Sequence, residues 1–144
     1  MDWDELNKCL RGELGSVETY QQALERDRQR FGHEVEFQKL SDILKEHQEA
    51  ASQLQAQIQR MGGTPTQDSG AWGIWAKTVM GGAKLLGDKA ALKALKEGEE
   101  SGAKEYQDIL TNPATPAEVK SLISTLLLKQ QAHIQELDRL IETA

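Results

Sequence analysis

Two glutamates and two histidines carry the chemistry that this 144-residue sequence can offer. Glu13 and His47 stand 34 positions apart, and so do Glu99 and His133. The second pair repeats the first 86 positions further on. A carboxylate in an apolar interior either takes up a proton or finds a partner, because burial strips the charge of its hydration. Glu oxygen and His nitrogen together suit Zn, Fe or Mn, and four such donors can close a mononuclear site. The same four groups can instead satisfy one another through hydrogen bonds, with no ion. Either outcome requires that the four side chains meet.

Helices are the elements available to bring them together. The long segments are rich in Ala, Leu, Gln, Glu and Lys, all strong helix formers, and no alternating run of β-branched residues offers a strand. Apolar or special residues recur every three or four positions in four stretches. The first, about 4–30, carries Leu6, Leu10, Glu13, Val17, Tyr20 and Leu24 and breaks near Gly32. The second, about 34–61, carries Leu40, Leu44, His47, Ala51, Leu54 and Ile58 and stops at Gly62-Gly63-Thr64-Pro65. The third, about 88–110, carries Leu92, Leu95, Glu99, Ala103 and Tyr106. In the fourth, about 116–143, Val119, Ile123, Leu126, Gln130, His133 and Leu137 form the stripe, and Thr115-Pro116 with Glu118 predicts a capping box. Short links join helices one to two and three to four. A segment over 62–87 separates the two hairpins, long enough to run the length of a bundle and join parallel helices. Within it Trp72, Trp75, Val79 and Met80 are spaced for one face of a short helix. That helix is expected to lie in a groove, with a homodimer contact through Trp72 and Trp75 as the other use of its face.

The repeat extends beyond the four polar residues. Gly12 to Leu24 (GELGSVETYQQAL) aligns without a gap on Gly98 to Leu110 (GEESGAKEYQDIL), and Leu40 and Leu54 fall on Leu126 and Leu140. Two equivalent hairpins therefore pack about a pseudo-two-fold axis. Arg30 lies midway between Glu13 and His47, and Pro116 midway between Glu99 and His133; both midpoints are at hairpin turns. Residues equidistant from a turn share a level in an antiparallel pair, to within about 3 Å for a two-residue shift at a 1.5 Å rise. Glu13, His47, Glu99 and His133 are expected in one core layer. Tyr20 and Tyr106 each follow a glutamate by two turns on the same face, and are read as packed rings with hydrogen-bonded hydroxyls beside the layer.

Composition narrows the function classes. The net charge of −6 and the lack of a basic cluster argue against a nucleic-acid surface. No apolar run approaches the ~20 residues needed to span a membrane. The acidic start, MDWDELNK, lacks the apolar core of a secretory signal, and a single cysteine suits a reducing compartment, so a cytoplasmic location is expected. Cys9 aligns with Leu95 and reads as a small core residue; His33, beside Gly32, reads as solvated. The remaining Glu-rich and Lys-rich faces read as solvent faces.

Gly12-Glu13 with Tyr20, Glu97-Gly98-Glu99 and His133 resemble the rubrerythrin and ferritin-like superfamily over nearly the whole chain. The GE-x-x-x-A-x-x-Y-x-x-x-L run of Gly98 to Leu110, the GG-x-P helix stop and the Trp-rich crossover are similar to a bacterial four-helix-bundle family of that superfamily, domain of unknown function 2383. The resemblance implies one all-α, ferritin-like domain over 1–144. It also implies a metal centre using one Glu from each of two helices and an E-x-x-H pair from each of the others. Glu13 and Glu99 match the single glutamates, and His47 and His133 the histidines. Leu44 and Gln130 stand where the E-x-x-H glutamates belong. Two missing carboxylates argue against a conventional di-iron centre and its oxidase or peroxidase activity. The expectation is a degenerate Fe, Mn or Zn site made of Glu13, His47, Glu99 and His133, with Tyr20, Tyr106 and Gln130 around it, serving metal handling or an oxidative-stress response. A metal-free structural or oligomerising bundle is the alternative.

Overall fold

The computed structural model describes residues 3–28, 34–70, 73 and 88–144. Among the described residues four long helices stand out: α1 (Asp4–Arg28), α2 (Glu34–Arg60), α3 (Asp88–Thr111) and α4 (Ala117–Thr143). Among the described residues there is no strand, and no helix is long and apolar enough to cross a membrane. The α1–α2 turn with His33, and Trp72 and Trp75 of the crossover, lie outside the described residues.

The helices form a bundle in which every neighbouring pair is antiparallel. Hairpins α1–α2 and α3–α4 pack against each other through α1 on α3 and α2 on α4. Tyr20 meets Glu99 while Tyr106 meets Glu13, so α1 and α3 run in opposite senses. Lys39 pairs with Glu136 and Arg60 with Glu118, which sets α2 against α4 in the same way. α2 and α3 are then parallel, as a long crossover requires.

The crossover begins with a sharp stop. Gly62 (φ +85°) takes the left-handed conformation; its N–H donates to Gln59 O (3.0 Å) and that of Gly63 to Ile58 O (2.9 Å). These two bonds satisfy orphan carbonyls at the end of α2. A Cβ on Gly63 would lie 2.5 Å from the Trp3 ring, so the indole packs flat on this turn. The chain then follows α1. Asn7 Nδ2 donates to Thr64 O (3.0 Å), Thr66 N–H donates to Asn7 Oδ1 (2.8 Å), and Ser69 Oγ donates to Glu18 (3.0 Å). From Asn7 to Glu18 the contacts advance ~16 Å along the helix at 1.5 Å per residue.

The α3–α4 turn differs from the capping box expected at Thr115. Asn112 Oδ1 accepts from Ala114 N–H (2.9 Å), and the buried Thr115 hydroxyl donates to Ile109 O (2.7 Å). Thr115 thus closes the end of α3, and α4 starts at Pro116 with no side-chain cap. Glu118 turns outward to Arg60. The single hydroxyl proton goes to the Ile109 carbonyl at the end of α3, and the residue in the N-cap position of α4 is Pro116, which has no polar side chain.

Two apolar clusters fill the bundle. Leu6, Leu10, Leu54, Ile58, Ile123 and Leu126 pack one end; Leu24, Leu40, Ile43, Leu92, Leu95 and Leu137 pack the other. Cys9 is buried in the first. Truncating Leu54, which is fully buried, removes a side chain that its surroundings cannot replace. Leu54→Ala is expected to lower unfolding free energy by ~2–5 kcal/mol in urea titration. Leu128→Ala, on an exposed side chain, should change it by less than about 0.5 kcal/mol.

Candidate metal centre

Between the two apolar clusters lies a polar layer to which all four helices contribute. Glu13 from α1, His47 from α2, Glu99 from α3 and His133 from α4 are each 4% exposed or less. The stripe that places Leu10 and Leu24 in the core carries Glu13 inward on α1, and the same holds for the other three. The equal spacing of each Glu–His pair about its turn brings the pairs to one level.

His47 bridges the two acids. Its Nδ1 faces Glu13 Oε2 and its Nε2 faces Glu99 Oε1, both at 2.5 Å. Carboxylates accept, so a ring with one at each nitrogen donates from both. Burial opposes the charge on this imidazole, but Glu99 and then Glu13 override it and hold its pKa well above the usual 6.5. Burial likewise works against ionised Glu99. The His47 charge, followed by hydrogen bonds from His133 and His47, prevails and brings its pKa from 4.5 to about 2.

Two tyrosines complete the acids. Tyr20 OH donates to Glu99 Oε1 (2.7 Å), and Tyr106 OH donates to Glu13 Oε1. Burial and then the neighbouring carboxylate, Glu99 for Tyr20 and Glu13 for Tyr106, raise both phenols far above 10, so they remain donors. Both bonds cross between hairpins and are related by the pseudo-two-fold axis.

The histidines are not equivalent. His133 Nδ1 faces Glu99 Oε2 at 3.3 Å, and its Nε2 faces Glu46 Oε1 at 3.0 Å. The inner rings of His47 and His133 lie 4.8 Å apart at centroids. One ligand atom from each of His47, Glu99 and His133 falls within 4.8 Å of the others, all three residues buried. Glu13 sits behind His47 on the opposite nitrogen.

Gln130 and Leu44 occupy the places of the two absent glutamates. Gln130 is buried and its Nε2 donates to the main-chain carbonyl of Glu99 (3.1 Å), gripping the helix rather than the carboxylate. Gly102 makes room for it: a Cβ there would sit 2.5 Å from Gln130 Nε2. Leu44 packs on the apolar cluster of the Leu40 end. A cavity of about 20 Å³ reaches Glu13, Tyr106 and Gln130 between α1 and α3, beside Gly12, Gly98 and Gly102; it has room for one water.

Sequence reasoning missed Glu46. In the sequence it reads as one of the solvent-facing acids, and 40% of its side chain is indeed exposed. Its signal in the sequence is weak: it lies one position before His47, at the edge of the α2 stripe, and its partner is on α4.

The fold and this layer define a ferritin-like four-helix bundle with a buried acid–imidazole centre. The chain belongs to the family Domain of unknown function (DUF2383), whose model matches residues 34–112, more than half of its length. That stretch holds Glu46, His47 and Glu99. Among solved structures the chain is similar to one titled as the crystal structure of ferritin like, diiron-carboxylate proteins from Bacillus anthracis str. Ames. The two are 20% identical with a TM-score of 0.70, over 96% of this chain and 94% of that one. No curated protein matches the chain.

The opposed shifts of His47 and Glu99 set the pH dependence of the ion-free protein. A folded pKa raised above 6.5 gives stability that is complete below 6.5 and is lost as pH rises from there through the folded value. A folded pKa lowered from 4.5 to about 2 gives stability that is complete above 4.5 and is lost as pH falls toward 2. Melting temperature of chelator-treated protein should therefore form a plateau between about pH 4.5 and 6.5 and fall on both sides. A midpoint that climbs from pH 6.5 to 9 would contradict this.

Proposed function

We propose that the polar layer binds a single divalent Fe, Mn or Zn ion, and that the protein serves metal handling or an oxidative-stress response. One observation carries this reading. Glu99 lies between the inner nitrogens of two histidines, with an oxygen toward each, so a Glu and two imidazoles converge on one point of the core. The donor set fits one ion better than two. Of the four carboxylates in a dinuclear centre of this fold only Glu13 and Glu99 are present, since Leu44 and Gln130 replace the others. Two carboxylates and two neutral imidazoles balance one divalent charge and leave none for a second.

In this reading Glu99, His47 and His133 hold the ion. Glu13 grips the far nitrogen of His47, which fixes the ring and raises its basicity. Tyr20 and Tyr106 hold the two carboxylates in place. The bound ion would supply Lewis acidity, and with Fe or Mn a redox couple. To hold the ion, His47 would give up the proton that it shares with Glu99, so uptake would be coupled to proton release. The likeness in fold to a protein titled diiron-carboxylate supports a metal in this layer.

A specific observation favours the metal-free alternative, in which the layer sets helix register. Each acid, imidazole and phenol in it already has a hydrogen-bond partner. Elemental analysis separates the two. Protein purified without chelator should carry close to one equivalent of Fe, Mn or Zn. Ion at ~100 times its dissociation constant should add about 2.7 kcal/mol to the unfolding free energy. Glu99→Ala should abolish both. Metal-free protein whose melting temperature ignores all three ions would leave the structural reading standing.

A further inference from the structure

The pseudo-two-fold axis relates four of the six bonds that the layer's acids make to imidazoles and phenols, and two break it. Tyr20 to Glu99 mirrors Tyr106 to Glu13, and Glu99 at His133 Nδ1 mirrors Glu13 at His47 Nδ1. The contact of His47 Nε2 with Glu99 has no mirror image. Its counterpart would take His133 Nε2 to Glu13, whose oxygens already serve His47 and Tyr106. His133 Nε2 instead meets Glu46 Oε1 at 3.0 Å. Glu46 has no equivalent in the second hairpin, where Ala132 precedes His133.

Each histidine thus has one nitrogen toward Glu99 and one held by a further carboxylate. His47 turns Nε2 to Glu99 and is held at Nδ1 by Glu13; His133 turns Nδ1 to Glu99 and is held at Nε2 by Glu46. A carboxylate on the far nitrogen fixes which nitrogen carries the proton, and with it the direction of the lone pair that meets a metal.

We infer that Glu46 is a positioning residue of the metal centre: its carboxylate keeps the proton of His133 on Nε2 and aims Nδ1 at the ion held with Glu99 and His47. The inference rests on the metal reading above. It makes the centre a set of three inner donors and two outer carboxylates, one outer carboxylate buried and one reaching solvent.

Two measurements on the full chain test it. Zn²⁺ affinity by competition with a chromophoric chelator should fall roughly 10- to 100-fold in Glu46→Ala. Glu46→Gln, whose amide oxygen still accepts from Nε2–H, should recover part of the loss. Glu49→Gln, an exposed acid on the same helix, should match the unsubstituted protein. In ¹⁵N-histidine-labelled protein loaded with Zn²⁺, His133 should bind through Nδ1 with its proton on Nε2, and Glu46→Ala should redistribute that proton. Affinity in Glu46→Ala within twofold of the unsubstituted protein would overturn the role of Glu46 and leave the metal reading intact. If the unsubstituted protein binds no Zn²⁺, Fe²⁺ or Mn²⁺, the metal reading falls and takes this role with it. An Nε2 proton that ignores Glu46→Ala overturns the positioning by itself.

Discussion

Glu99 is the contact on which the bundle turns. It stands on α3 and receives Tyr20 from α1, His47 from α2 and His133 from α4, so one buried carboxylate ties its own helix to all three others. With 1% of its surface exposed it cannot rely on water. It stays ionised because His47 is charged beside it and both histidines bond to it, and His47 stays charged because Glu99 and Glu13 flank it. Each group is tolerable in the core only while the others are present. Breaking a buried pair of this kind by removing one partner costs about 3–5 kcal/mol, whereas an apolar replacement of the whole set is often neutral. What the set supplies is therefore geometry: a common level for four helices and a cluster of donor atoms.

Much of this was legible without coordinates. The repeat puts Glu13 and Glu99, and His47 and His133, on matching stripes, and the position of each turn puts them at matching heights. The helix ends at Arg60, Thr111 and Thr143 fall within a residue of the expected limits. What the sequence could not yield depends on contacts between helices. Thr115 has the composition of a cap, but the carbonyl it reaches belongs to the preceding helix. Gln130 stands at a ligand position, yet the space left by Gly102 sends its amide to the main chain. Glu46 lies beside the stripe, and only the closeness of α4 turns it from a surface acid into a partner of His133. Periodicity along one helix carries no information about which neighbour a rim residue touches.

The duplicated hairpin explains both the strength and the imbalance of the layer. Duplication doubles contacts that cross the axis, as with the two tyrosine–glutamate bonds. It also leaves two acids with a limited number of oxygens for two tyrosines and two histidines. His47 takes the short contacts, and His133 is the more distant ring, its Nδ1 at 3.3 Å from Glu99. An ion among these donors would relieve the competition by replacing a shared proton with a centre that accepts several lone pairs at once. Leu44 and Gln130 mark how far this chain departs from a dinuclear arrangement, and the charge that two ions would need is absent from the core.

The central claim is that Glu99, His47 and His133 converge on one metal ion. It is tested most directly by anomalous diffraction from crystals of the protein loaded with Zn²⁺ and measured at the zinc edge. One strong peak is expected in the bundle interior, within bonding distance of Glu99 and both histidines. Peaks confined to surface acids, with His47 still seated between Glu13 and Glu99, would contradict it.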